Sequence, residues 1–138
     1  RMRGMSTRMI MAIVVLAGLN LGSAQTARAD DQTAAAEAAA KADAATPEGE
    51  KYQESVGRAF GKEHGATVGE CARSTRRPDL SDFVLLLRVA AAGVVQEVLV
   101  KPRTNLSGCV QARLTGWKLT PPPRAGFWVR IQVDLKRK

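Results

Sequence analysis

Few residues of this 138-residue chain are of a type that could do chemistry, and they are widely spaced. The single histidine, His64, excludes a site that needs two imidazoles. The serines of the second half lack the strand–turn–helix context that presents a serine nucleophile. No glycine-rich loop follows a predicted strand to hold a phosphate. The four acids of the second half are spread over predicted loops and strand faces: Asp79, Asp82, Glu97 and Asp134. The sequence therefore predicts no enzyme, no metal site and no cofactor.

The two cysteines, Cys71 and Cys109, are 38 residues apart. A metal pair or a redox pair is an alternative, but CxxC spacing and nearby histidine ligands are both missing. In an oxidising compartment an even pair of cysteines most simply forms a disulfide. The chain-entropy model assigns a loop of this length about 4 kcal/mol of stabilisation. If the chain is exported, we expect a Cys71–Cys109 disulfide.

Residues 1–29 have the three parts of a cleavable signal peptide. Three arginines precede the apolar run Met9–Gly22, and Ala27-Arg28-Ala29 places small residues at the two positions that a signal peptidase reads. The apolar run is shorter than the roughly 20 residues of a spanning helix. The sequence predicts a periplasmic or secreted protein of a Gram-negative-type envelope, with no stable membrane anchor after cleavage. An uncleaved N-terminal anchor is the alternative.

Charge is unevenly distributed along the chain. The net charge of +8 includes four arginines in residues 1–29, so the remainder carries +4. Residues 30–70 are acidic overall and residues 71–138 are basic. A basic surface attracts nucleic acid, anionic lipid or an acidic protein face, and nucleic acid is not an expected partner outside the cytoplasm. Apart from the run Lys136-Arg137-Lys138, the basic residues are scattered along the sequence, which favours a solvated face.

The Ala-rich stretch 30–46 has no large apolar side chains, and we expect a flexible leader or a frayed helix. A helix then begins at Thr46-Pro47, because a hydroxyl N-cap precedes a proline at the first helical position. Glycines recur every fourth residue from Gly57 to Gly69, which predicts a break or kink near His64-Gly65. A close approach of another backbone is the alternative reading of these glycines.

The spacing of apolar residues changes after residue 82 from a helical to a strand-like pattern. Residues 83–89 and 94–100 predict a β-hairpin, and the less regular alternation of the second strand allows a bulge. A short helix capped by Thr104 or Asn105 follows and stops near Gly116. Residues 127–135 alternate without error, which predicts a strand. The fold class is therefore α+β: a three-stranded antiparallel sheet in the order α-β-β-α-β. We expect its helices on one face and solvent on the other.

Several short motifs of residues 50–136 resemble the C-terminal domain of TonB-type energy transducers and the related modules of AgmX/PglI-type gliding-motility proteins. They include the turn Ala91-Ala92-Gly93, the segment Thr104-Asn105-Leu106, and Trp117-Lys118-Leu119-Thr120-Pro121-Pro122 before the last strand. Cys71 and Cys109 match cysteines at the end of one helix and early in the next. The resemblance implies a TonB C-terminal-like domain over residues 47–138.

The resemblance also implies a mode of action. Domains of this family accept an extended partner segment at the edge of the sheet, where main-chain hydrogen bonds supply the affinity. Here the last strand would offer that edge to an envelope protein, with side-chain contacts from Trp128, Arg130 and Gln132. The alternative for Trp128 is that it merely packs under Arg130.

Two further expectations concern function. The short signal and a leader of about 17 residues predict an interaction module without energy coupling, since a transducer needs a retained anchor and a long spacer. The alternative function is a structural or inhibitor-like envelope domain that uses its basic face against an anionic polymer or enzyme.

Overall fold

The computed structural model describes residues 21–135, which form three helices and three strands. Most of the predicted signal peptide and the basic run at residues 136–138 lie outside the described residues. The elements in chain order are α1 (Leu21–Asp43), α2 (Pro47–Ser74), β1 (Phe83–Val89), β2 (Val95–Lys101), α3 (Asn105–Leu114) and β3 (Phe127–Val133). Within residues 21–135, no helix is both long and apolar enough to cross a bilayer.

The sheet has the order β2-β1-β3, and both pairings are antiparallel. The central strand β1 is therefore paired on both sides, and its Leu85, Leu86 and Leu87 are fully buried. The predicted α+β class with a three-stranded antiparallel sheet is confirmed.

A β-bulge at Gln96 explains the irregular pattern of the second strand. Arg88 pairs with Glu97 and Val89 pairs with Val95, so Gln96 is the extra residue and lies exposed. The insertion shifts the phase of the strand by one residue. Val95 can therefore face the same core as Val98.

Helix α2 begins where the sequence predicts, and the Thr46 side chain accepts a hydrogen bond from the Gly49 amide at 3.0 Å. The predicted break near His64-Gly65 is wrong, because the helix is continuous over 28 residues. Its buried stripe docks on the sheet and compensates for the poor helix propensity of the glycines. The buried residues of α2 are Gly49, Tyr52, Val56, Phe60, Thr67 and Cys71.

Helices α2 and α3 cover one face of the sheet, and the predicted disulfide joins them. The Cys71 and Cys109 sulfurs are 2.08 Å apart, with their Cα atoms at 5.8 Å. A salt bridge of 2.7 Å between Glu70 and Arg113 lies beside it. Thr104 caps α3 and exchanges hydrogen bonds with Ser107, which fixes the start of this helix. The disulfide prediction is confirmed.

The prediction that the second face is open to solvent is wrong. Helix α1 covers it, and Ala36 and Ala40 pack against Val84 and Leu86. Residues 30–43, expected to form a flexible leader or a frayed helix, belong to this helix. Alanine side chains are short, so the helix axis can approach the sheet closely without large apolar residues.

Candidate functional site

The β3 edge is the candidate site, and the chain itself closes its first part. Helices α1 and α2 lie on opposite faces of the sheet, so the connection at residues 44–46 passes around this edge. Asp43 Oδ2 accepts a hydrogen bond from the Trp128 amide at 2.9 Å. The turn is tight: a Cβ atom at Gly49 would lie 1.8 Å from the Asp43 carbonyl oxygen. A partner strand therefore has no access to the edge at Trp128.

Asp43 also holds α1 to the segment before β3. Its Oδ1 accepts hydrogen bonds from Arg124 Nε at 2.8 Å and from Arg124 Nη2 at 2.6 Å. The Asp43 side chain is 9% exposed, whereas that of Arg124 is 53% exposed. Charge-assisted bonds of this kind are stronger than neutral ones. Asp43 thus anchors the end of α1 where alanines provide little packing.

The middle of the β3 edge is occupied by one side chain of α2. The Gln53 amide nitrogen donates to the Arg130 carbonyl, and the Gln53 amide oxygen accepts from the Arg130 N–H at 3.0 Å. In an antiparallel ladder alternate residues face alternate neighbours, so Val129 and Ile131 bond to β1 while Arg130 faces outward. The primary amide of Gln53 therefore makes the same two bonds that a residue of a neighbouring strand would make.

A groove of about 490 Å³ lies in front of this edge, between the end of α1 and the start of α2. Its lining combines small apolar, charged and amide groups: Glu37, Ala40, Lys41, Ala44, Gln53 and Arg130. The small alanine side chains leave room beside the strand. Among these residues, Gln53 is the one whose side chain forms hydrogen bonds with the β3 backbone.

The three predicted contact residues of β3 have different environments. Trp128 is partly buried and packs against the α1 cluster, so it does not point to solvent. Arg130 and Gln132 are exposed, and Arg130 Nη2 donates to Gln132 Oε1 at 3.2 Å. Gln132 in turn donates to Asp134 at 3.2 Å. Two of the three residues are therefore accessible at the edge.

The start of the β2 edge is closed by main chain, and its middle is bonded by one side chain. The Val95 amide donates to the Trp117 carbonyl at 2.8 Å, and the Gly116 amide donates to the Val95 carbonyl at 2.9 Å. The Gln111 side chain donates to the Val98 carbonyl. Gly93, with a φ of 97°, brings its carbonyl to the Leu119 amide at 2.8 Å. A Cβ atom there would lie 2.1 Å from the Leu119 oxygen, so this closure requires glycine.

The histidine is part of an aromatic cluster on α2. The ring of His64 lies edge-on to Trp117, with centroids 4.6 Å apart, and its Nδ1 is 3.1 Å from Thr67 Oγ1. Phe60 lies beside both rings. These contacts give His64 a packing role between α2 and the segment after α3.

Tyr52 joins α2 to the proline-rich segment before β3. Its hydroxyl donates to the Thr120 carbonyl at 2.8 Å, and its ring packs edge-on against Phe127 at 5.1 Å. Burial raises the pKa of Tyr52 to about 12. A phenol held neutral in this way is a structural hydrogen-bond donor.

No group of three or more histidine, cysteine or acidic side chains within residues 21–135 could hold a metal ion. Sequence reasoning missed both Asp43 and Gln53. The bonded residues are 85 and 77 positions apart in the sequence, so no local sequence pattern predicts these bonds.

Comparison of the chain with protein-family models, curated proteins and solved structures finds no match. The resemblance to TonB-type domains therefore stays a prediction.

Proposed function

We propose that this chain is an exported protein-interaction module of TonB C-terminal-like type. It binds an extended segment of an envelope protein as an additional strand beside β3. The accessible part of the edge runs from Arg130 to the end of the strand, because Asp43 and the α1–α2 connection close the part before it. The partner strand is accordingly short.

The observation that carries this proposal is the pairing of Gln53 with the Arg130 backbone. A side chain can leave the edge by rotating, whereas the main-chain bonds at Val95 of the β2 edge can open only if a segment of chain moves. An incoming strand replaces the two Gln53 bonds with two equivalent main-chain bonds, so their exchange costs little free energy. The strand then gains further bonds toward Gln132. Gln53 also shields the edge from unwanted pairing while no partner is bound.

The proposal is tested by capture from an envelope extract of the source organism, with the full chain and three variants. Gln132→Pro removes an outward N–H and is tolerated at an edge strand. Gln132→Ala retains that N–H and is the matched control. Gln53→Ala removes the side chain that competes with the partner.

We expect Gln132→Pro to abolish capture and Gln132→Ala to retain it, because strand addition depends on the main chain. Gln53→Ala should bind the same partner about 30-fold more tightly, since two bonds of about 1 kcal/mol each no longer have to be displaced. Unfolding midpoints of all four chains show whether each variant is folded. A folded Gln132→Pro variant that captures the partner normally would rule out strand addition at β3.

A further inference from the structure

A second surface lies at the end of the sheet where β1 begins. Phe83 pairs with Val133 and Val84 pairs with Lys101, so β1 begins where β2 and β3 end. The loop at residues 75–82, the segment before α3 and the last turn of α2 meet there. The basic run at residues 136–138 follows β3 in sequence.

Hydrogen bonds fix the loop against α3. Asn105 Nδ2 donates to the Arg77 carbonyl at 3.1 Å, and Asn105 Oδ1 accepts from the Asp79 amide at 2.9 Å. These bonds hold the backbone at Arg77 next to the start of α3, and Arg103 lies two residues before Asn105. We call Arg73, Arg76, Arg77 and Arg103, together with Leu80, the basic end.

The four arginines of the basic end are exposed. Within residues 21–135, the side-chain ion pairs within 4.0 Å involve other bases, namely Arg88, Lys101, Arg113 and Arg124. The arginines of the basic end are thus available for an external anion. The scattered basic residues of the sequence converge here because the fold brings segments 30 residues apart together.

Two acids lie in the same loop, and both are engaged in holding it. Asp79 accepts a hydrogen bond from the Ser81 amide at 2.9 Å. Hydrogen bonding by the Ser81 side chain, and then by its amide, lowers the pKa of Asp79. Asp82 accepts from the Leu135 amide. With Asp134, which precedes Leu135 at the same end of the sheet, the acids number three against four arginines, so the basic end keeps a net positive charge.

Leu80 gives this surface its second property. Its side chain is 49% exposed, the largest fraction among the exposed large hydrophobics of the described chain. It projects from the same loop as Arg76 and Arg77. An apolar tip among arginines matches the interface of a bilayer, where acyl chains lie just below anionic phosphates. A soluble polyanion offers nothing that would bury Leu80.

We propose that the basic end binds the surface of an anionic lipid bilayer. The arginines contact the lipid phosphates, and Leu80 inserts below them. Guanidinium groups suit phosphate because they donate two parallel hydrogen bonds.

The test is cosedimentation of the full chain with vesicles of about 30% phosphatidylglycerol in phosphatidylcholine at low salt. Binding to pure phosphatidylcholine measures any contribution of the apolar N-terminal run and is subtracted. Arg76→Gln with Arg77→Gln removes two charges from the basic end. Lys51→Gln with Arg58→Gln is the matched control, since Arg58 lies about 22 Å from Arg73 along α2.

We expect the Arg76/Arg77 double variant to bind anionic vesicles about 25-fold more weakly, because each basic residue near such a surface contributes about fivefold. The Lys51/Arg58 control should lose less than about threefold, since screening limits the reach of distant charges. Leu80→Ser should reduce binding about tenfold, and the effect should persist in about 0.5 M salt.

Three results would overturn the proposal. Equal losses in the two double variants would indicate diffuse attraction without a defined surface. Equal binding of anionic and neutral vesicles would show that the basic end does not contribute. If inorganic polyphosphate binds as tightly as vesicles and Leu80→Ser has no effect, the ligand is a soluble polyanion and not a membrane. All these side chains are exposed, so the variants should unfold at the wild-type midpoint.

Discussion

The two faces of the sheet are covered by helices of unlike composition. On one face, α2 and α3 bury large side chains against β1, and the Cys71–Cys109 disulfide joins the helices. On the other face, α1 offers mainly Ala36 and Ala40, and Asp43 ties its end to the strand. Apolar burial scales with the area removed from water, so the first face stabilises the fold far more.

This difference indicates separate roles for the two faces. The α2/α3 face holds the domain together. The α1 face depends on a few polar bonds and can open locally at a small cost in free energy. The proposed strand site lies at the seam between them, where Asp43 and Gln53 reach the β3 edge from opposite sides.

The largest expected effect on the free energy of unfolding comes from removing the disulfide of the α2/α3 face. Cys71→Ala with Cys109→Ala should lower the free energy of unfolding by about 4 kcal/mol, because the open chain regains loop entropy. Urea denaturation of the oxidised, reduced and double-variant chains measures the change. A loss below about 1 kcal/mol would contradict the loop-entropy account of this disulfide.

Two adjacent leucines of β1 compare the faces directly. Leu87 faces α2 and α3, whereas Leu86 faces α1, and both are fully buried. Leu87→Ala should cost about 3 to 4 kcal/mol and Leu86→Ala about 2 kcal/mol, since α1 can settle into the space that Leu86 leaves. Chemical denaturation gives both values. Equal losses would show that the two faces are equally rigid.

Asp43→Ala should release α1 from β3. Loss of the charge-assisted bonds that Asp43 makes to the Trp128 amide and to Arg124 costs about 2 kcal/mol. The effect should be seen as faster amide hydrogen exchange in α1, with little change in α2. Glu37→Ala is the control, because its 3.7 Å ion pair with Lys101 is exposed and contributes less than about 1 kcal/mol. Uniformly faster exchange in both helices would contradict a locally opening α1.

The smallest effects concern the glycines of α2. Gly61→Ala should stabilise the domain by about 0.5 to 1 kcal/mol, because alanine favours helix and a Cβ atom at this position meets nothing within 4 Å. The same substitution at Gly49 should destabilise it, since the Asp43 carbonyl occupies that space. Thermal unfolding compares the two variants. A destabilised Gly61→Ala would indicate that the exposed face of α2 needs its glycine.

Local patterns predicted the elements whose determinants are local. The alternation of residues 127–135 located β3, and Thr46-Pro47 located the start of α2. The glycine spacing predicted a break in α2 that does not occur. The free-energy cost of glycine in a helix is small compared with the stabilisation from packing Tyr52, Val56 and Phe60. The cover of the second face was missed because α1 lacks large apolar residues, and its docking depends on distant partners.

The candidate site was predicted in part for the same reason. Strand alternation placed Arg130 and Gln132 on the outward face of the strand, and the resemblance to TonB-type domains implied that this strand forms an edge. It could not show that Asp43 and Gln53 already bond to that edge, since these residues belong to other elements. It also placed Trp128 on an open face that α1 covers.

Amide hydrogen exchange at Arg130 and Gln132 tests the proposed strand addition most directly. The measurement compares the full chain alone with the full chain bound to its captured partner. A partner strand beside β3 should slow exchange of the Gln132 amide at least about tenfold and keep the Arg130 amide protected after Gln53 is replaced by alanine. If both amides exchange at the same rate with and without partner while another surface becomes protected, the partner does not bind at β3.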